Sequence, residues 1–552
     1  MKNFGKLMAA ILVIAAIMMT MCVPAMATPA ASDTATVTIT NLTGTPTVTL
    51  YQIVKATYNA TGFSGYVSAI PEDKQTAYPI TPDNPTFDQI ETIWKAVKDG
   101  TLTLTSASTT VADGTATATV AAGTWLAVMT NFGTTIYNPI VVSAYYTDEE
   151  GNPIIGGSAD AQKTSTLTGG TTVAKSSTPN VDKTVDGTKT GTDNSVSVGD
   201  KLTYTITADL PSYPSNAENK TFYVKDTMGN GLTLLADSIK VNGKAATGGV
   251  FTDDDGNEIA KLWVKGNSFK VVFNYDNLTA APEVTYDAVV NDDAVVGSAG
   301  NKNDVTLVYA NDPTKGSTWT DPGTPDTPNP EPNPEDPNSG VTTDTDTETV
   351  YTYQVAFKKT GTGDEAEKLA GAQFGIYSDE GCTQLIDIVT TNEQGFAVSS
   401  KVAEGTYYVK EIAAPAGYSL NAQVYTIVAS KTSATSTATT IKRTYTTTKP
   451  SDDAQSVGWL LNGVFYTTKP SETAVAAYLA SETTTTGTVT TGTTGTDENG
   501  IALLNTNIPN TKVSKLPSTG GMGTTLFIVG GVALMALAIV LISANKRHSV
   551  NK

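Results

Sequence analysis

Histidine is almost absent from this sequence of 552 residues. The one histidine, His548, follows a long apolar run near the C-terminus. Catalytic triads that need an imidazole, and metal sites built from histidine, are therefore not expected in the folded domains. Cysteine is nearly as rare, with Cys22 in an N-terminal apolar stretch and Cys382 in the body of the chain. If the N-terminal stretch is removed on export, Cys382 is the single cysteine of the mature chain. A single cysteine cannot form an intramolecular disulfide, so a disulfide framework is excluded.

Charged residues are also few, at 16% of the chain, and acidic residues outnumber basic ones by 54 to 35. The net charge of −19 repels phosphate backbones, so nucleic-acid binding is not expected. Threonine, glycine, alanine and valine dominate, and this composition favours strands and turns over helices. The chain is too long for one compact domain. We therefore expect an all-β protein of several domains.

The N-terminus has the three parts of a secretory signal peptide. Lys2 and Lys6 precede an apolar stretch, and Ala25-Met26-Ala27 supplies small residues for cleavage. This pattern predicts export and a mature chain that starts at Thr28. An uncleaved membrane anchor is the alternative, but the apolar run is short for a bilayer.

The C-terminus has a second ordered signal. Leu516-Pro517-Ser518-Thr519-Gly520 precedes an apolar run at 524–543, and a basic tail with Lys546 and Arg547 follows. The run is long enough to predict a transmembrane segment, with the basic tail on the inner side. A plain single-pass anchor would leave the first motif unexplained. The whole order resembles the cell-wall sorting signal of Gram-positive surface proteins, which implies that a sortase cuts between Thr519 and Gly520 and holds Thr519 as a thioester until an amine displaces it.

Apolar and polar residues alternate at period two through the body of the chain, which predicts antiparallel sheets. One helix is expected in the first β region, where Thr86 and Gln89 are spaced as a capping box. Its apolar face is predicted to comprise Phe87, Ile90, Trp94 and Val97.

Changes in composition predict the domain boundaries. Seven prolines within 322–337 predict an extended spacer, and the threonine-rich stretch 430–500 predicts a long insertion or mobile loops. The predicted division is a signal peptide at 1–27, an N-terminal β domain at 28–172, a middle domain at 173–320, a proline-rich linker at 321–349, a third β domain at 350–515 and a sorting signal at 516–552.

In the middle domain, polar residues occupy strand positions that face the core. Lys183 shares parity with Val181 and Val185, and Asp226 shares parity with Val224. An asparagine near the end of the domain completes the set: Asn303 fits the parity of the strand, with Asn301 as the alternative.

The third domain repeats this pattern. Lys359 and Glu411 lie at core-facing positions. Asn510 is the favoured asparagine, although the nearby Asn505 and Asn507 leave the choice open.

A buried lysine, acid and carboxamide would be costly as free charges. A covalent bond removes the cost, because a desolvated lysine is a neutral amine that attacks a carboxamide polarised by a protonated acid and releases ammonia. The alternative is that these are ordinary strand-end or paired surface residues. No cofactor and no metal site is predicted, since the acidic stretch 253–257 lacks the spacing of an EF-hand loop.

Two segments identify a family resemblance. Lys368-Leu-Ala-Gly-Ala-Gln-Phe-Gly-Ile-Tyr377 and Tyr407-Tyr-Val-Lys-Glu411-Ile-Ala-Ala-Pro-Ala-Gly-Tyr418 resemble a Cna-B domain of Gram-positive pilins, with Glu411 at the position of the E-box glutamate. The segment around Val173-Ala174-Lys175 is similar to the region of major pilins that holds the polymerising lysine, although the usual Tyr-Pro-Lys is absent.

This resemblance implies a sortase-assembled backbone pilin made of tandem immunoglobulin-like, Cna-type β-sandwich domains. Its subunits would be joined from Thr519 to Lys175 of the next subunit and stiffened by internal Lys–Asn isopeptide bonds, with Asp226 and Glu411 as the autocatalytic acids. The implied partners are pilin-class and housekeeping sortases, identical subunits, minor pilins, peptidoglycan and host ligands.

Other functions fit parts of the sequence. A monomeric, wall-anchored adhesin with Cna-B stalk domains would keep the sorting signal but not polymerisation, and Lys175 would then be a solvated linker lysine. A secreted glycosidase with paired carboxylates fits less well, because the acids that can be placed lie beside lysines on core-facing strand positions.

Overall fold

The structure is a computed structural model that describes residues 28–148, 150–154, 165–189, 194–362, 367–430, 439–461, 464–466, 469, 471–486, 501–504 and 506–513. The chain divides into two compact units. Unit 1 comprises 1–354, 400–405 and 428–502, and unit 2 comprises 355–399, 406–427 and 503–552, as far as these ranges are described.

The first β region belongs to unit 1 and contains strands β1 to β12 and helix α1. Their bounds are β1 Thr34–Thr40, β2 Thr47–Asn59, β3 Gly62–Ser68, α1 Phe87–Lys98, β4 Ser106–Ser108, β5 Thr110–Ala112, β6 Thr115–Ala121, β7 Gly123–Thr130, β8 Ile136–Tyr137, β9 Ile140–Thr147, β10 Thr166–Gly169, β11 Thr171–Val173 and β12 Ser176–Ser177, with a short 3-10 helix at Glu72–Lys74.

Two sheets and one helix build the core of this region. The sheets have the strand orders β11-β1-β6-β5 and β10-β9-β7-β2-β3, and β12 pairs with β8. Helix α1 starts at Thr86, whose side chain accepts a hydrogen bond from Gln89 N in the predicted capping box. Trp94 is buried, whereas Phe87 is 46% exposed. The predicted apolar face was therefore wrong at Phe87, because the first helical residue lies one turn before the buried part of the helix begins.

The middle region, also in unit 1, contains strands β13 to β23. Their bounds are β13 Val181–Asp186, β14 Lys201–Ala208, β15 Phe222–Met228, β16 Leu232–Val241, β17 Lys244–Ala245, β18 Val250–Thr252, β19 Glu258–Lys265, β20 Ser268–Phe273, β21 Glu283–Val290, β22 Asn301–Ala310 and β23 Val341–Val350, with a 3-10 helix at Tyr275–Asn277.

These strands form two sheets that share one hydrophobic core. The strand orders are β13-β14-β21-β16-β17 and β18-β19-β20-β15-β22-β23. Inward-facing residues of both sheets, such as Ile206, Val224 and Leu307, are completely or almost completely buried in the same cluster. The alternation predicted from the sequence therefore builds a two-layer sandwich.

The predicted proline-rich linker at 321–349 needs correction at both its centre and its end. Strand β23 pairs with β22 over its whole length, from Val350 opposite Asn301 to Val341 opposite Ala310. Further upstream, Glu331 forms an ion pair with Lys270 of β20. The segment is thus attached to the middle sandwich instead of spanning free space. Strand β23 was not predicted from the sequence, because the strand alternates threonine with acidic residues and has no pattern of apolar residues.

The remaining strands follow in chain order, β24 to β29 before the threonine-rich insertion, β30 to β33 within it, and β34 and β35 after it. Their bounds are β24 Gln354–Gly361, β25 Gln373–Tyr377, β26 Leu385–Thr390, β27 Phe396–Val398, β28 Gly405–Ala413, β29 Val424–Ala429, β30 Thr439–Thr446, β31 Gly458–Leu461, β32 Val464–Tyr466, β33 Val475–Thr486, β34 Ile501–Leu503 and β35 Ile508–Asn510.

In unit 2 one sheet has the order β26-β25-β28-β29, and β24 pairs with both β27 and β35. The parallel pair of β24 and β35 sets Lys359 opposite Ile508 and Gly361 opposite Asn510. In unit 1 the insertion forms an antiparallel sheet of order β30-β33-β31-β32. The stretch 430–500 was predicted as a long insertion or mobile loops, and its described part is an insertion that forms a sheet. Threonine favours strands even where apolar residues are scarce.

The all-β fold class is confirmed, but the prediction of a transmembrane protein has to be corrected. Within the described ranges, no helix has the length and apolar character needed to cross a membrane. Several predicted features lie outside the described residues: the signal peptide at 1–27, the run at 524–543, Asn505, and Leu516, Pro517, Thr519 and Gly520 of the sorting signal.

Candidate functional site: two buried Lys–acid–Asn clusters and an exposed lysine

The first cluster lies in the core of the middle sandwich and brings together Lys183 of β13, Asp226 of β15 and Asn303 of β22. Lys183 Nζ donates to Asp226 Oδ2 at 2.5 Å, and both side chains are fully buried. Tyr286 of β21 links the acid to the carboxamide: its hydroxyl donates to Asp226 Oδ2 at 2.8 Å and accepts from Asn303 Nδ2 at 2.9 Å. The cluster therefore joins three predicted residues through a tyrosine.

Burial shifts the proton equilibria of this cluster toward neutral groups. It lowers the pKa of Lys183, and the attraction of Asp226 offsets only part of this effect. It also raises the pKa of Asp226, against the opposing effect of Lys183. Among the described residues, Asp226 Oδ1 and Asn303 Oδ1 are buried acceptors without a donor. The Tyr204 hydroxyl is likewise buried without a partner, so the pocket holds two acceptors and one hydroxyl whose hydrogen bonds are unmade.

Two tyrosines pack around the amine of Lys183. Neither was predicted from the sequence as part of the site. Tyr204 and Tyr286 are directly opposite each other on β14 and β21, and their rings stack with centroids 5.4 Å apart. Lys183 Nζ lies 5.4 Å from the Tyr204 ring centroid and 5.9 Å from that of Tyr286. Both tyrosines lie at core-facing strand positions, and this parity is the signal in the sequence that could have identified them. Their contribution is to keep water away from the amine.

The alternative asparagine of this domain, Asn301, has a different role. Asn301 Oδ1 accepts from Val295 N at 2.6 Å, and Asn301 Nδ2 donates to the carbonyl oxygens of Val295 and Val350. These bonds fix the chain before β22, so the carboxamide of Asn301 is already occupied by the backbone.

The second cluster lies in unit 2 and consists of Lys359 of β24, Glu411 of β28 and Asn510 of β35, all buried. Lys359 Nζ donates to the side-chain oxygen of Asn510 and to Ile508 O at 3.1 Å. Asn510 Nδ2 donates to the two carboxylate oxygens of Glu411 at 2.8 and 3.0 Å. Lys359 Nζ is 3.5 Å from Glu411 Oε1. All three groups are thus in mutual contact.

The carboxylate of Glu411 is held in place by the backbone, because Asn421 N donates to its Oε2 at 2.6 Å. Burial lowers the pKa of Lys359, and Glu411 offsets part of this shift. Of the alternative asparagines, Asn507 is exposed and Asn505 lies outside the described residues. Asn510 is therefore the asparagine that the structure places against Lys359.

The geometry of the second cluster matches the steps of amide exchange. The amine lies against the carbonyl side of the Asn510 carboxamide, and the acid lies against its nitrogen. An acid in that position can take a proton from the attacking amine and deliver it to the departing nitrogen. Because the lysine is desolvated, it is available as a neutral nucleophile.

Lys175, the predicted polymerisation residue, lies between β11 and β12 and is exposed. Its backbone is held on both sides: Ala174 N donates to Thr40 O at 2.8 Å, and Lys175 O accepts from Asn138 N at 3.1 Å. The residue is therefore a solvent-accessible amine on an anchored segment of backbone, outside both buried clusters.

A buried ion pair outside the predicted sites connects the first and middle β regions of unit 1. Lys98 Nζ of α1 lies 2.6 Å from Asp312 Oδ1, and the two side chains are only 8% and 9% exposed. The amine also lies 4.6 Å from the centroid of the Trp94 ring. At the surface of the same contact, Lys95 pairs with Glu218 at 2.5 Å.

Asp312→Ala is expected to lower the free energy of unfolding by about 3 kcal/mol, because it leaves the Lys98 ammonium buried without its partner. Glu218→Ala, which breaks the exposed pair in the same contact, should cost less than about 1 kcal/mol. Burial raises the pKa of Asp312, but Lys98 and hydrogen bonds from Thr314 outweigh this and hold the pKa below its usual value. Urea unfolding at neutral pH measures both variants.

The same pair predicts a pH dependence. The pKa of Asp312 is lower in the folded protein than in the unfolded chain, where it is about 4. Its contribution to the free energy of unfolding is therefore fully present above pH 4 and is lost as the pH falls through the folded pKa. The difference in the free energy of unfolding between the parent and Asp312→Ala should therefore become smaller below about pH 4. A constant difference across that range would contradict this assignment.

Comparison with known proteins agrees with this fold. Family models match four segments: a T6 antigen Ig-like domain at 32–176, a Gram-positive pilin backbone subunit 2 Cna-B-like domain at 198–313, a prealbumin-like fold domain at 353–444 and an LPXTG cell wall anchor motif at 508–552. The chain belongs to the Gram-positive backbone pilins, structural subunits of covalently assembled pili anchored to the cell wall. The predicted family and localisation are thereby confirmed.

Within this family, the chain is similar to the trypsin-resistant surface T6 protein of Streptococcus pyogenes serotype M6. The two are 39% identical over 538 residues, which cover 94% of this chain and 96% of the relative. The solved structure of the T6 backbone pilin of serotype M6 Streptococcus pyogenes, described as a modular three-domain structure with variable loops and extensions, covers 88% of this chain and 100% of its own length. It has 36% sequence identity and a TM-score of 0.71.

Proposed function

We propose that two internal amide bonds form in this pilin, one between Lys183 and Asn303 and one between Lys359 and Asn510. The observation that supports this most strongly is the mutual contact of Lys359, Glu411 and Asn510 in a dry core. Asp226 and Glu411 each act once, during maturation, so the protein is a structural subunit and not a turnover enzyme.

The chemistry balances within each cluster. The lysine Nζ attacks the asparagine Cγ, the Cγ–Nδ2 bond breaks, and the nitrogen leaves as ammonia. In unit 2, Glu411 contacts the departing nitrogen directly. In the middle domain, Tyr286 lies between Asp226 and the asparagine nitrogen and provides a path for the proton.

We also propose that the sortase links Thr519 of one subunit to Lys175 of the next. Exposure of Lys175 and the fixed backbone around it support this role, since an incoming thioester needs an accessible amine at a defined position. A pilin-class sortase would form this bond, and a housekeeping sortase would attach the finished fibre to peptidoglycan. Minor pilins and host ligands are further proposed partners. A monomeric adhesin is the second candidate.

The positions of the proposed bonds define a short covalent path for tension along the subunit. Force would enter at Lys175, cross from Lys183 to Asn303, continue to Lys359, cross to Asn510 and leave at Thr519. The chain between Lys183 and Asn303, and that between Lys359 and Asn510, would then carry little load. This path follows the proposed domain division, with the N-terminal domain at 28–172 lying outside it.

Intact mass spectrometry of the mature chain tests the internal bonds. Each closed amide lowers the mass by about 17 Da, the mass of ammonia, so two amides should lower it by about 34 Da. A chain with its full sequence mass would show that neither bond forms, and the lysines would then have to be explained as ion pairs. A deficit of about 17 Da would leave one cluster unreacted.

A further inference from the structure

Strand β13, which carries Lys183, is the outermost strand of its sheet and pairs with β14 alone among the described strands. On its other side, the backbone N–H groups of β13 donate to carboxylates of β23 and not to the carbonyls of a further strand. Val181 N donates to Asp344 Oδ2 at 2.8 Å, and Lys183 N donates to Asp346 Oδ2 at 2.7 Å. Two aspartates therefore close the edge of the strand that carries the amine.

The position of β23 explains why its acids reach β13. Asp344 lies opposite Leu307 of β22 and Asp346 lies opposite Val305, and both of these partners are fully buried. The two acids thus have the parity of the core. Because β23 is the outermost described strand of its own sheet, its inward side chains lie at the margin between the two sheets, where they are half-buried. The alternation of acids with threonines in β23 places these acceptors along β13.

The attack on Asn303 requires that the backbone of Lys183 stays in place. In the structure, Lys183 Nζ contacts Asp226, so the amine has to turn from the acid to the carboxamide before it reacts. A displacement of about 1 Å can slow such a step a hundredfold. A strand with a partner on one side only opens more readily than a central strand. The hydrogen bond from Lys183 N to Asp346 opposes this opening at the residue that reacts.

From this geometry we propose that Asp346 is a positioning residue for the amide between Lys183 and Asn303. Its carboxylate holds the backbone of Lys183 at the edge of β13 while the amine attacks. The inference rests on the proposed amide. It also implies that the bond closes only after β23, which lies beyond the predicted domain boundary at 320, has paired with β22.

An effect of charge is the competing explanation, and a second aspartate separates the two. Burial lowers the pKa of Lys183, and the negative charges of Asp304 and Asp346 oppose this shift. Asp304 is exposed on β22 and accepts a hydrogen bond from Thr347 Oγ1 at 2.7 Å. A role through charge would be shared by both aspartates. A role through the hydrogen bond to Lys183 N belongs to Asp346.

The rate of amide closure in newly made full-length chains tests the inference. Chains are pulse-labelled, quenched at intervals and digested, and mass spectrometry compares the branched Lys183–Asn303 peptide with the linear peptide cleaved after Lys183. Asp346→Val should slow closure about tenfold or more, because valine favours strands but has no acceptor. Asp346→Asn should close within about twofold of the parent rate, because its Oδ1 accepts the same hydrogen bond. The Lys359–Asn510 peptide of the same chains is the internal control and should form at the parent rate.

Asp344→Val is the matched control, since it removes the equivalent hydrogen bond at Val181 and leaves that of Lys183. It should slow closure less than about threefold, and Asp304→Asn should stay within about twofold of the parent. Equal slowing by Asp344→Val and Asp346→Val, or parent-rate closure in Asp346→Val, would overturn the role of Asp346 and leave the amide intact. Slow closure of Asp346→Asn would overturn it as well, whether or not the valine variant folds. Parent chains in which Lys183 stays free would overturn the amide and this inference with it.

Discussion

Glu411→Ala should leave Lys359 and Asn510 unjoined and raise the mass of the chain by about 17 Da above the value expected for the substitution alone. The reason is that Glu411 is the group that contacts both the attacking amine and the departing nitrogen. Without Glu411, no group that contacts both the amine and the departing nitrogen is left to transfer the proton between them. The amine of Lys359 is then buried without an acidic partner.

The loss of this bond should also lower thermal stability. The two residues are 151 positions apart, and closing a loop of that size contributes about 4 to 5 kcal/mol by analogy with a disulfide. A loss of that size corresponds to a fall of about 10 to 20 °C in the melting temperature of the domain. Scanning calorimetry beside intact mass measures both effects on one sample.

Glu367→Ala is the matched control, since Glu367 is an exposed carboxylate of the same unit that pairs with Lys512. It should keep the amide, its mass deficit and a melting temperature near that of the parent. Asp226→Ala should repeat the loss in the middle domain, where Lys183 and Asn303 are 120 positions apart. Glu411→Ala protein that retains the full mass deficit would show that the acid is not required.

Lys175→Ala should collapse the ladder of boiling-resistant multimers in cell-wall extracts to a single monomer band. The proposed link needs a primary amine at this position, and alanine has none. Lys175→Arg should fail in the same way, because a guanidinium stays protonated and is not a nucleophile at neutral pH. This variant separates a covalent role from a purely electrostatic one, which arginine would preserve.

Lys302→Ala is the matched control for this experiment, since Lys302 is an exposed lysine on strand β22 of the same unit. Its ladder should equal that of the parent. A ladder that survives Lys175→Ala would move the acceptor to another lysine, with Lys189 as the next to test. A monomer band in the parent strain would instead favour the wall-anchored adhesin.

Much of the candidate site could be predicted from strand parity. In a strand the side-chain direction alternates strictly, so a lysine between valines, as at Lys183, has to point into the core. The same reasoning predicted the inward direction of Asp226, Asn303 and Glu411, and the structure buries all four.

The alternation of apolar and polar residues does not predict which strands pair when they are far apart in the chain. The place of Asn510 depends on the parallel pairing of β35 with β24, two strands that are far apart in the chain. Tyr286 stood out only as a core residue, because nothing local indicates that it would lie between Asp226 and Asn303.

The proline-rich segment shows a second limit. Prolines indicate an extended chain without internal hydrogen bonds, but they do not indicate what that chain contacts. Here Glu331 pairs with Lys270, and Tyr223 OH donates to Glu331 Oε2 at 3.2 Å, on the outer side of the middle sandwich. Those partners lie more than 50 positions away, so composition could not identify them.

Tandem mass spectrometry of peptides from purified wild-type pili tests the central claim most directly. The account predicts three branched peptides, which join Lys183 to Asn303, Lys359 to Asn510 and Thr519 to Lys175, because trypsin does not cleave at a lysine whose amine is in an amide. Linear peptides cleaved after free Lys183, Lys359 and Lys175, with Asn303 and Asn510 unmodified, would contradict it.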